Sequence, residues 1–182
     1  GADDANDRSI LETSNRMYGT YRMRRVYYSA FSPIPDASKN LPLQSPPLLR
    51  EHRLYQADWL LRFYGFTVED IAPIEAGENL PLDIDPKLAW ALKFRDRFPV
   101  DVNHAPREML LRVPGLGVKA VDRILASRRH RRLRLEDVAR LTTSIVKLRP
   151  FLIAADWRPV QLADRVDLSA QLRRPAAQLE LF

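Results

Sequence analysis

The residues best suited to chemistry are Val113-Pro114-Gly115-Leu116-Gly117-Val118-Lys119, followed closely by Ser127-Arg128-Arg129-His130-Arg131-Arg132-Leu133-Arg134. Glycines at 115 and 117 leave no Cβ in front of the turn's backbone N–H groups, and amides at a helix start attract anions. The spacing therefore predicts an anion cradle around Pro114, built from the N–H groups of Gly115, Leu116, Gly117 and Val118. Lys119 and Arg123, one turn apart on the following helix, flank it. Arg128, Arg129, Arg131 and Arg132 add charge with weak geometric demands. An arginine run alone reads as a solvated helix face, but the adjoining glycine turn favours a phosphate backbone as ligand. Backbone contacts carry little sequence preference. If about five phosphates are neutralised, log K should fall with log salt at a slope near −4.5.

Other candidate groups are sparse. His52, His104 and His130 lie far apart without ligand spacing, which predicts no metal site. His104 suits phosphate contact or a local capping or packing role. No Walker sequence, nucleophile elbow or paired carboxylates stand out.

The charge distribution agrees with one anion-facing side. The 182 residues carry a net +6, yet Asn103 to Arg134 holds nine Lys/Arg against Glu108 and Asp122, a local +7. Phe66 to Pro86 has six acids and no base. No run of about 18 apolar residues exists, which argues against a membrane span. The polar, acidic start Gly1 to Asp7 is unlike a signal peptide. With no cysteine, disulfides, thiolate zinc sites and iron–sulfur ligands are excluded from this sequence, which suits a cytoplasmic setting.

Several elements must position the glycine turn. Periodicity predicts a helix from Asp7 to about Arg22, and Arg24 to Phe31 is β-branched and aromatic enough for a strand, one that would need a sheet from elsewhere. Pro33 to Pro47, with five prolines, reads as an extended linker. Leu48 to Tyr64 should be a long helix stopped by Gly65, with Tyr55, Trp59 and Tyr64 as core residues. Thr67 and Asp70 can cap a short helix. Asp85-Pro86 should open another helix to about Phe98, packing through Trp90, Leu92 and Phe94. Two helical pairs follow: Pro106–Arg112 with Val118–Ser127, and Leu135–Leu141 with Ile145–Leu152 across a glycine-free turn at Thr142 to Ser144. Their expected core is Leu110, Val113, Leu116, Val121, Ile124, Val138, Leu141, Val146 and Phe151. The predicted class is mainly α. Residues 1–46 would form a barrel end with linker, 47–100 a helical connector, 101–155 the paired-hairpin domain and 156–182 a weakly periodic tail.

Asn103-x-Ala105, Leu110, Pro114-Gly115-Leu116-Gly117, Ile124 and Leu135-Glu136-Asp137-Val138 together resemble the tandem helix-hairpin-helix module (SAM-domain-like) of DNA-repair and DNA-uptake proteins. Val121 departs from the alanine usual there, and the second turn lacks its glycines. Over a longer span, Arg25 to Pro33 and Arg50 to Arg62 resemble the C-terminal part of radical-SAM proteins of DNA modification or repair. That resemblance implies a fuller protein holding a [4Fe–4S] cluster and S-adenosylmethionine, with a uracil-DNA-glycosylase-type companion, and this chain as its non-catalytic DNA-binding end. Lys119 and Asp137 are also similar to the lysine–aspartate arrangement of endonuclease III-type glycosylases, which implies an alternative abasic-site lyase in which the amine attacks the sugar. Finally, Gln178-Leu179-Glu180-Leu181-Phe182 resembles the bacterial sliding-clamp-binding pentapeptide. It implies a recruitment module in which Gln178, Leu179, Leu181 and Phe182 engage the clamp.

Overall fold

Helix α1 (Asp7–Tyr21) begins where the Asn6 side chain accepts the Ser9 N–H and ends on Arg22, held at φ 52°. The structure, a computed structural model, describes residues 3–34, 41–72, 79–142, 144–159 and 168–172. These are mainly helical, with one two-stranded parallel sheet. The chain divides into two units, Gly1–Arg62 with Phe66–Pro86 and Phe63–Gly65 with Lys87–Phe182. The segments read above as barrel end and connector thus belong largely to one unit.

In the first unit, α1, α2 (Leu48–Phe63) and α3 (Val68–Ile71) enclose a core of Leu11, Tyr28, Leu54, Ala57, Val68, Ala72 and Leu80. Gly65 takes φ +68° after α2, as its stop position requires. The Thr67–Asp70 capping box is present at the start of α3. The strand expected at Arg24–Phe31 is not formed: these residues run without a ladder, and side chains satisfy their backbone instead. Tyr55 Oη both accepts the Tyr28 N–H and donates to the Tyr28 carbonyl, each at 3.0 Å, while Glu51 accepts the Ala30 N–H at 2.9 Å. The aromatic residues that mimic a strand are here because Tyr28 is buried and stacks edge-on against Tyr55. Trp59, expected in the core, is half exposed. The inward face of α2 runs through Leu54, Ala57 and Asp58, and the buried Asp58 accepts from Tyr18 at 2.5 Å and from Arg62 at 2.9 Å.

The second unit contains α4 (Pro86–Lys93), β1 (Val100–Asp101), α5 (Arg107–Arg112), α6 (Val118–Ser127), α7 (Leu135–Ala139), α8 (Ile145–Leu148), β2 (Leu152–Ile153) and α9 (Leu168–Leu172). Helix α4 is shorter than expected because Phe94 leaves helical geometry at ψ 52°, and a 3-10 turn at Arg95–Arg97 follows. The expected helix Ile145–Leu152 stops at Leu148 for a related reason. Pro150 cannot donate to the helix ladder, and Leu152–Ile153 pair in parallel with Val100–Asp101 instead. Of the expected core, Leu110, Val113, Leu116, Val121, Ile124, Val138 and Phe151 are buried, and Leu141 is partly so. Val146 is not: it is 66% exposed, and Leu148 points inward in its place. Residues two apart on a helix lie on nearly opposite sides, so a one-turn helix inverts if its register is misread. No helix among the described residues is long and apolar enough to cross a membrane.

Candidate nucleic-acid interface

The turn between α5 and α6 is held from two directions. Gly115 sits at φ +86°, a conformation L side chains rarely adopt, and a Cβ there would lie 3.0 Å from Thr142 Oγ1 and 3.1 Å from the Ser144 carbonyl. Thr142 Oγ1 donates to the Gly115 carbonyl at 2.7 Å, and the Ser144 N–H donates to Thr142 Oγ1 at 3.2 Å. Gly115 is therefore small in order to seat the second turn against the first. From the other side, Lys87 Nζ, buried in the first turn of α4, donates to the Leu116 carbonyl at 2.6 Å and lies 4.8 Å from the Tyr64 ring centroid.

The four amides assigned to an anion cradle are not equivalent. Leu116 N–H closes the turn onto the Val113 carbonyl at 3.2 Å. Val118 N–H faces the Tyr64 hydroxyl; burial pushes that phenol above its ordinary value of 10, and the amide draws it part of the way back. Gly115 and Gly117 N–H make no hydrogen bond among the described residues. Gly117 is the N-cap of α6 at φ −93°, ψ 167°, with no side chain to close the helix start, and the first ladder bond runs from Val121 N–H to the Gly117 carbonyl. The first-turn amides of Lys119 and Ala120 precede that bond, so they join Gly117 N–H as donors without an intrahelical acceptor.

The expected cations fall into two groups. Lys119, Arg123 and Arg129 are exposed and make no hydrogen bond or ion pair among the described residues, and Arg132 is exposed with only an electrostatic pull from Asp101. Arg128 is instead drawn inward, donating to the Val102 and Ala105 carbonyls at 3.1 and 2.7 Å. Arg131 pairs with Asp137 at 2.6 Å. Pro114 is buried under the turn.

Asp137 and Lys119 do not meet in an ion pair among the described residues. The Asp137 carboxylate accepts the Arg134 N–H at 2.9 Å, and that bond, followed by Arg131, holds its pKa below the ordinary 3.8. Desolvation works against the Asp101 carboxylate, but the His104 ring nitrogen 2.9 Å away and the Asn103 N–H outweigh it and lower its pKa. His104 is thus a local partner of Asp101. Asn103 ties the loop after β1 to the chain before α7, its Oδ1 accepting the Leu133 N–H at 2.7 Å and its Nδ2 donating to the Leu133 carbonyl at 3.2 Å.

Sequence reasoning missed Lys87 and gave Tyr64 only a packing role. One signal pointed to Lys87, because a cation in the first turn of a helix opposes the helix dipole and calls for a nearby acceptor. The peptide Gln178, Leu179, Leu181 and Phe182 lies outside the described residues. The [4Fe–4S] cluster implied for a fuller relative does not fit this sequence, which has no cysteine to ligate it. No protein-family model, curated protein or solved structure matches the chain.

Proposed function

We propose that residues 101–155 form a tandem helix-hairpin-helix unit that grips the phosphate backbone of DNA with little sequence preference, serving a repair or modification activity carried elsewhere. The observation that supports this reading best is the start of the ten-residue α6. Its N-cap glycine supplies no side-chain hydrogen bond, and exposed Lys119 and Arg123 stand on the helix that follows. An anionic oxygen at that position completes the hydrogen bonding of Gly117, Lys119 and Ala120, and the helix dipole favours its charge. Lys119, Arg123, Arg129 and Arg132 then neutralise neighbouring phosphates.

Because Arg128 and Arg131 are committed to protein partners, the phosphate count falls from the sequence-based five to about four, and the expected slope of log K against log salt becomes about −3.6. The test is binding of labelled duplex and single-stranded DNA to the wild type and to Lys119→Glu/Arg123→Glu across a salt series. Salt-steep binding that the double variant loses supports the grip. A folded wild type that binds neither DNA form at low salt rules it out. Gly115 is a poor probe, since its replacement disturbs packing before it touches any ligand.

A further inference from the structure

The turn has a second polar partner that no DNA contact requires. Lys87 is 9% exposed and belongs to the first turn of α4, where burial and the helix dipole both disfavour a cationic side chain. The Leu116 carbonyl, 2.6 Å away, and the Tyr64 ring offset those costs. Leu116 lies in the middle of the turn, and its carbonyl belongs to the same peptide plane as the Gly117 N–H. In a trans peptide the carbonyl and the following N–H point in opposite directions. Drawing the Leu116 carbonyl toward buried Lys87 therefore turns the Gly117 N–H outward, away from the ammonium.

We propose that Lys87 is a positioning residue of the phosphate site: it sets the orientation of the Leu116–Gly117 peptide through the Leu116 carbonyl, without touching DNA. This inference rests on the DNA-binding reading above. It separates Lys87 from Lys119 and Arg123, which face solvent. A residue that touches phosphate releases a counterion and changes the salt slope, whereas one that only aims an amide changes affinity at every salt concentration alike.

The experiment uses the full chain with Lys87→Met and Lys87→Gln, compared with the wild type and with Lys119→Gln, by duplex DNA binding across a salt series and by thermal unfolding. Met removes charge and donor, while Gln removes the charge and retains an amide donor. The expected result is affinity lowered about tenfold in Lys87→Met and less in Lys87→Gln, both with the wild-type salt slope, while Lys119→Gln makes the slope shallower by about 0.9. The Gly117 amide resonance should move in both Lys87 variants before any DNA is added. Full affinity in a folded Lys87→Met overturns the inference. A slope shallower by about 0.9 in the Lys87 variants also overturns it, since Lys87 would then be a direct contact. Loss of the folded state in both variants assigns the lysine to the fold alone and overturns it too. A wild type that does not bind DNA refutes the DNA reading itself, and an unmoved Gly117 resonance refutes the positioning role separately.

Discussion

Helices α6 and α7 belong to the same unit and begin in opposite ways. At α7 the chain supplies its own anions: Asp156 accepts the Leu135 N–H at 2.7 Å and Asp137 accepts the Arg134 N–H at 2.9 Å. At α6 the N-cap is Gly117, which supplies no side-chain cap, the Tyr64 hydroxyl meets the Val118 N–H alone, and the first turn holds no acid. Capping a helix start is worth about 1 kcal/mol, and serine, threonine, aspartate or asparagine would supply it. On the proposed reading, the difference marks α6 as the start that an external anion completes. One helix start is finished internally, and the other is where the proposed grip would seat its anion.

Four measurements put that contrast to the test. The largest effect is expected from Gly115→Ala, which forces a side chain into φ +86° and against Thr142 and Ser144. It should cost about 2 to 3 kcal/mol in thermal unfolding, because strain and overpacking add. Next is Gly117→Asp, which gives α6 the kind of start α7 has. Gly117 has ordinary backbone angles, and its Cβ would meet only Tyr64 Oη at 3.6 Å. Stability should hold or rise by a few tenths of a kcal/mol, while DNA affinity drops about tenfold as the new carboxylate takes the amides and repels phosphate. An unchanged affinity would remove the contrast between the two starts. Asp156→Ala should do the reverse, lowering stability by about 1 kcal/mol through loss of a cap and leaving DNA binding unaltered.

The smallest effect is a pH response at the start of α7. The Asp137 pKa lies below its ordinary 3.8, chiefly through the Arg134 N–H and then Arg131. A carboxylate lowered in the folded state stabilises it above the ordinary value, and that contribution disappears as pH falls through the folded value. Amide exchange at the start of α7 should therefore quicken, relative to α6, as pH is lowered below about 4. Equal acceleration at both helices would show that acid acts through some other group.

Much of the second unit was legible because its residues obey local rules. Val118–Ser127 has sharp bounds set by Gly117 and a buried stripe of Ala120, Val121 and Ile124. The Thr67–Asp70 box and the stop at Gly65 are likewise written in short spacings. Misreadings arose where a distant partner decided the outcome. Residues Arg24–Phe31 carry strand-like types, yet Tyr55 and Glu51 satisfy their backbone from α2. Asp58 occupies a buried position that a hydrophobic pattern assigns to an apolar residue, which hid the inward face of α2 and promoted Trp59 to the core. At the candidate site, the glycine turn and the start of α6 were readable, but Lys87, 29 positions before Leu116, was not. Neither was the internal engagement of Arg128, which looks in the sequence like any member of its arginine run.

The pairing of β1 with β2 has a kinetic consequence. Val100 opposes Leu152, so two residues on each strand close a loop of about fifty residues that contains both helical turns. Such a closure costs entropy while the intervening chain is loose, and costs less once that chain is ordered and the effective loop is shorter. The short ladder should therefore form late in folding, after α5 to α8 have condensed. Once formed, it discourages either pair of helices from fraying without the other, so the second unit should exchange its central amides in one cooperative opening.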